Sequence, residues 1–132
     1  MAQLKLLFVC VENSNRSQMA EGFARHHGGD SVLAASAGSN PSGVINPKAL
    51  AAMKRKGIDI SGQKSEGLDK MLDTKWDWVI TMGCGDRCPH VPAQNRDDWE
   101  LDDPKHLDEP GYDEIRDEIE RRVLALIGSV DL

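Results

Sequence analysis

Leu4 to Val9 is an apolar run broken only by Lys5, and it passes without a turn residue into Cys10-Val11-Glu12-Asn13-Ser14-Asn15-Arg16-Ser17. Such a run reads as a parallel strand buried on both faces. A helical pattern follows directly, beginning at Ser17. A strand this apolar needs strand neighbours and cover above and below, which limits the chain to layered α/β architectures. The short loop between strand and helix suits a tetrahedral oxyanion, because unpaired amide N–H groups and the positive end of the helix dipole meet there. Arg16 can fork two donors onto an anion's oxygens. Its charge and the loop amides also favour the thiolate of Cys10, the form that attacks. Ser17 can donate to that sulfur while capping the helix. Val11 to Ser17 are therefore the expected oxyanion-binding residues. The loop lacks glycine, but Asn13 and Asn15 tolerate left-handed backbone; Glu12 must point away from an anion. The plainer alternative makes Cys10 a buried structural thiol at a strand end.

The remaining elements alternate. Gln18 to His27 carries Met19, Phe23 and Ala24 on one helical face and stops at Gly28-Gly29. Ser31 to Ala37 reads as a strand, and Gly38 to Gly43 as a loop. Asn46-Pro47 supplies an N-cap and a proline at the first helical position, with Leu50 and Met53 facing the core and Gly57 closing the helix. Ile58 to Ile60 reads as a brief extended piece, and Ser65 as the cap of a short helix carrying Leu68, Met71 and Leu72. Trp76 to Thr81 is a strand rich in aromatic and β-branched residues. Asp97 to Leu101 suggests a short edge strand. Pro110-Gly111 opens a last helix with Ile115, Ile119, Val123, Leu126 and Ile127 at helical spacing. This alternation predicts one domain over residues 1–132. Its fold is an α/β three-layer sandwich, a four-stranded parallel open sheet flanked by helices, with the ligand site at the strand C-terminal ends.

Two further constellations stand out. Cys84 and Cys88 lie three residues apart in a loop with Arg87, Pro89 and His90. They can close a disulfide if the loop folds over. They can also, with His90, supply three zinc ligands where a structural site wants four, or remain unused thiols. Asp103, made rigid by Pro104, is a better candidate general acid than Asp102. Most of the seven acidic residues between Asp97 and Glu109 must be plain solvated surface. Against 22 acidic residues stand 16 basic ones, a net charge of −6 that disfavours nucleic acid and anionic membrane as partners. No stretch has the length of a membrane span and the first residues lack a signal-peptide layout, so a soluble cytoplasmic protein is expected. Three cysteines, an odd count, argue for chemistry or metal rather than a disulfide framework.

With these pieces in view, the sequence resembles the arsenate reductases built on the low-molecular-weight protein tyrosine phosphatase fold. The likeness is carried by Cys10 to Gly22, Ser36-Ala37-Gly38, Gly57 to Ser65, Cys84 to Pro89 and Trp99 to Pro104. It implies a phosphatase-like four-stranded parallel sheet. It also implies Cys10 as nucleophile, Arg16 as oxyanion clamp, Asp103 as general acid and Cys84 and Cys88 as a redox relay. Asn13 and Ser17 match positions that shape the loop and stabilise the thiolate. Three departures are visible: the relay cysteines are close together, Asn15 stands where many relatives carry a further cysteine, and Lys64 and Glu66 stand where some relatives surround potassium. An ammonium there can replace that cation, so no cofactor or metal is expected. The implied partners are arsenate, phosphate as a competing oxyanion, and a thiol carrier: thioredoxin, or glutaredoxin or a mycothiol–mycoredoxin couple. A monomer is the default for so small a fold. The rivals are a phosphotyrosine phosphatase, which needs Cys10, Arg16 and Asp103 but not the cysteine pair, and a non-enzymatic metal- or redox-sensing module.

Overall fold

The computed structural model describes residues 3–82 and 91–129. Its strands are β1 (Leu4–Cys10), β2 (Val32–Gly38), β3 (Trp76–Thr81) and β4 (Ala93–Asp98), and its helices α1 (Arg16–Gly28), α2 (Pro47–Arg55) and α3 (Glu109–Ser129). The strands form one parallel sheet in the order β2-β1-β3-β4. β1 is an inner strand paired on both sides, which is why its sequence is apolar but for Lys5. Leu6, Leu7 and Phe8 are fully buried, each such side chain contributing about 1.5–3 kcal/mol.

Alternate residues of β1 feed two cores. Leu4, Leu6, Phe8 and Cys10 join Met19, Phe23, Met53, Tyr112, Ile119 and Val123 from the three helices. Leu7 and Val9 join Leu68, Met71, Trp76, Val79 and Val91 on the opposite face. The sheet is thus covered on both sides, as the α/β reading requires. Among the described residues, no helix is long and apolar enough to cross a membrane.

Several local expectations are corrected. α1 starts at Arg16, so Ser17 lies inside its first turn and Asn15 is the N-cap. Ser65 does not cap a helix: Leu68–Met71 is a 3-10 turn entered from Gly67 without a side-chain cap, and Leu72 is exposed. Ile58 to Ile60 lies outside the sheet and the helices, with Ile58 and Ile60 buried. The edge strand runs over Ala93–Asp98, earlier than expected, and Trp99 packs into the core just after it. That strand pairs on one side only, so its residues need not be apolar. Gly29, with φ +53°, ends α1 as the paired glycines suggested.

Candidate functional site

The loop leaving β1 at Cys10 is held from outside by its own carbonyls. Val11 O accepts from the Asn40 amide (2.8 Å), Glu12 O from the Ser42 amide (2.9 Å) and Ser65 Oγ (3.1 Å), and Ser14 O from the Asn46 amide (3.0 Å). Asn13 O accepts from Gln18 Nε2 at 2.9 Å. Across a planar trans peptide the following N–H points the opposite way. The amides of Glu12, Asn13, Ser14 and Asn15 therefore face the other side of the loop, where α1 begins. The close approach that makes this possible needs Gly38: a Cβ there would sit 2.5 Å from Val11 O. Asn13 bends the loop with φ +51°, the left-handed conformation its sequence allowed.

A chain of hydrogen bonds ends on the cysteine sulfur. The Glu66 amide donates to Asn13 Oδ1 (2.8 Å), which fixes the orientation of that side-chain amide. Asn13 Nδ2 then donates to Ser17 Oγ (2.8 Å), and Ser17 Oγ lies 2.8 Å from Cys10 Sγ. Since Ser17 Oγ already accepts, its own proton is free to point at the sulfur, as expected from sequence. Cys10 is buried, with 3% exposure, at the C-terminal end of the central strand.

Arg16 reaches the same place from the first turn of α1. Its Nη1 donates to Leu101 O (2.8 Å), and its buried Nε has no partner among the described residues. A donor stranded in this way suits an anion's oxygen. Asp103 arrives from the other side: its Oδ1 accepts from the Lys105 amide (3.0 Å), and Pro104 follows in a 3-10 turn. Cys10, Val11, Glu12, Ser14, Asn15, Arg16 and Asp103 line one pocket of about 110 Å³. Glu12 turns its carboxylate toward Lys105 Nζ (3.4 Å), the outward direction its charge demands. Asn13 and Ser17 lie behind this pocket and support it.

Cys84, Cys88 and His90 lie outside the described residues, and with them both the relay and the zinc alternative. The described residues contain no cluster of three or more histidine, cysteine, aspartate or glutamate side chains able to hold a metal. Arg25 Nη2 lies 2.7 Å from Glu21 Oε2, and Lys64 is exposed. Sequence reasoning missed Tyr112, whose hydroxyl donates to Asn15 Oδ1, and the amides of Asn40, Ser42 and Asn46 that anchor the loop. Backbone donors on another loop leave no residue-type signal.

A parallel α/β sheet with a cysteine, an arginine and an aspartate around an amide-lined pocket defines a phosphatase-like protein. The chain belongs to the low molecular weight phosphotyrosine protein phosphatase family, whose model matches residues 5–131. Its relatives within that family include arsenate reductases. It is 39% identical over 129 residues to the glutaredoxin arsenate reductase of Synechocystis sp., covering 96% of this chain and 98% of that one. A solved arsenate reductase in a phosphate-binding state superposes with a TM-score of 0.87 at 36% identity, covering 98% of this chain and all of the other. A thioredoxin-dependent arsenate reductase from Corynebacterium glutamicum gives 0.81 at 38% identity, over 96% of this chain and 61% of that longer one.

Proposed function

We propose that this chain reduces arsenate to arsenite. What supports the reading is the convergence of Cys10, Arg16 and Asp103 on one small pocket, together with relatives that are arsenate reductases. The Cys10 thiolate attacks the arsenic of an arsenate held by the loop amides and Arg16, forming an S–As bond, while Asp103 gives a proton to the oxygen that leaves as water. Cys84 then attacks the Cys10 sulfur: an S–S bond forms, the S–As bond breaks, and its electron pair stays on arsenic, which departs as arsenite. Cys88 attacks Cys84, frees the Cys10 thiolate and leaves a Cys84–Cys88 disulfide. An external dithiol carrier reduces that disulfide, which closes the two-electron balance.

The donor is a thiol carrier of the thioredoxin or glutaredoxin kind, since the named relatives divide between the two. Arsenite production with purified thioredoxin, glutaredoxin and mycoredoxin–mycothiol systems in turn identifies it. Cys10→Ser should abolish arsenate reduction and any phosphatase side activity together; survival of either contradicts a shared nucleophile. Cys88→Ser should complete about one turnover and stall as a Cys10–Cys84 disulfide visible by mass spectrometry. Steady turnover of that variant removes Cys88 from the mechanism.

A further inference from the structure

The four outward carbonyls of the loop after Cys10 are not held alike. Backbone amides meet three of them: Asn40 on Val11 O, Ser42 on Glu12 O and Asn46 on Ser14 O. The fourth, Asn13 O, accepts from a side chain, Gln18 Nε2 at 2.9 Å. Asn13 is also the loop residue with positive φ, +51°, a conformation that its surroundings must impose. The peptide at stake joins Asn13 to Ser14. With Asn13 O held outside, the Ser14 N–H turns inward, to the pocket that Ser14 lines with Cys10, Arg16 and Asp103.

Gln18 is itself held so firmly that its amide has one orientation. Gln63 Nε2 donates to Gln18 O at 3.0 Å, a backbone carbonyl that can only accept. The same nitrogen lies 2.9 Å from the Gln18 side-chain amide, which must therefore offer its oxygen. Gln18 Nε2 is left for Asn13 O and Lys64 O, both at 2.9 Å and both acceptors only. Flipping either glutamine would set like groups against each other. A glutamine with 0% exposure is costly unless its polar atoms are paired, and both of them are. An apolar residue would fill the same place on α1 but leave Asn13 O without this donor.

We propose, resting on the oxyanion reading above, that Gln18 is a positioning residue: it pins the Asn13 carbonyl outside the loop and so aims the Ser14 amide at the anion. Without Nε2, Asn13 O is a buried acceptor that has lost its partner, and turning the Asn13–Ser14 peptide relieves it. The turned peptide withdraws an N–H from the pocket and presents an oxygen that repels an oxyanion. A bound anion favours the original orientation, so saturation restores it.

The test is calorimetric titration of the reduced full-length protein with inorganic phosphate. Gln18→Met, close in size but without the donor, should bind phosphate about tenfold more weakly, the scale of one hydrogen bond to a charged group. In arsenate turnover its KM should rise by a similar factor while kcat stays nearly constant. Gln63→Ala cuts the link to the Gln18 oxygen but leaves Asn13 O its donor, so it should keep wild-type affinity. A merely structural role for the buried amides would weaken both variants alike. Unchanged affinity in Gln18→Met, an equal loss in Gln63→Ala, or a fall in kcat at constant KM overturns the proposal. Should Gln18→Met not fold, the wild-type protein is titrated with phosphate and followed by NMR. The Ser14 amide signal should then move while the Gln18 side-chain NH2 stays slow to exchange with water. A Ser14 amide that ignores phosphate, or a Gln18 NH2 that exchanges freely, overturns the proposal. A wild-type protein that binds no phosphate instead overturns the oxyanion reading of the loop itself.

Discussion

Asn46 begins α2 and caps it, its side chain accepting from the Lys48 amide at 2.9 Å, with Pro47 filling the first helical position. Asn15 begins α1 and leaves it uncapped, its oxygen held by Tyr112 and its next residue a buried-stemmed arginine. One helix end is capped by its own side chain; at the other, the residue in the cap position is tied to α3 instead. The difference extends inward. α2 buries Ala49, Ala52 and Met53, whereas α1 buries Ser17, Gln18 and Glu21 among its apolar residues. The two helices thus differ both at their first turns and in the polarity of the faces they bury.

The sharpest way to break the contrast is at the cations of the two first turns. Arg16→Ala should cut arsenate turnover by about 10²–10³-fold, the scale on which removing an oxyanion donor acts, with little change in thermal stability. Lys48, whose Nζ donates to Leu107 O (3.2 Å) and Lys105 O (3.4 Å) at the surface, should lower turnover only slightly when replaced by alanine. Comparable losses in steady-state arsenite release from both variants would show that α2's first turn is not merely structural.

Next in size is the cap itself. Asn46→Ala should lower stability by about 1 kcal/mol, read from the urea midpoint at constant m. Phosphate affinity should hold, because the Asn46 contact with the anion loop is made by its backbone amide on Ser14 O (3.0 Å), which alanine keeps. An affinity loss larger than the stability loss would mean that α2's cap also shapes the loop.

The same contrast separates what the sequence discloses from what it hides. Asn46-Pro47 is a local signature, because capping involves residues two positions apart, and the structure has that cap. Trp76–Thr81 is β3 at the bounds that its aromatic and β-branched residues suggested. Cys10 and Arg16 are near neighbours in sequence, so the strand-loop-helix context was enough to bring them together. Ser17 looked like a cap because serine after a loop commonly is one. Here its hydroxyl is committed to Cys10 and Asn13, and Asn15, two residues earlier than expected, takes the cap position. Tyr112 was invisible as a site residue because its partner lies 97 positions away and nothing in the local pattern of α3 marks it as more than core. The bounds of β4, though not its existence as an edge strand, escaped because AQNRDD satisfies only one side of its ladder and carries no alternation.

The smallest expected effect tests the inward faces. Glu21 is 4% exposed, accepts from Ser36 Oγ (2.7 Å) and pairs with Arg25 Nη2 (2.7 Å). Burial pushes its pKa above the usual glutamate value of 4.5, with Ser36 and Arg25 pulling it back and Glu66 adding to the rise. An acid whose pKa is raised by folding favours the fold in its protonated form. Its contribution is therefore complete below pH 4.5, declines as pH rises through the folded-state pKa, and is constant above it. Glu21→Gln removes that decline while leaving an oxygen for Ser36. Asp113, Glu118 and Glu120, whose pKa values are lowered in the fold, give the opposite slope in both proteins, so the difference between the two curves isolates Glu21. Urea unfolding at a series of pH values from about 4 to 7 should show the variant gaining on wild type as pH rises. Parallel curves would mean that ionisation costs nothing on the polar face of α1, and that the two helices differ only in their first turns.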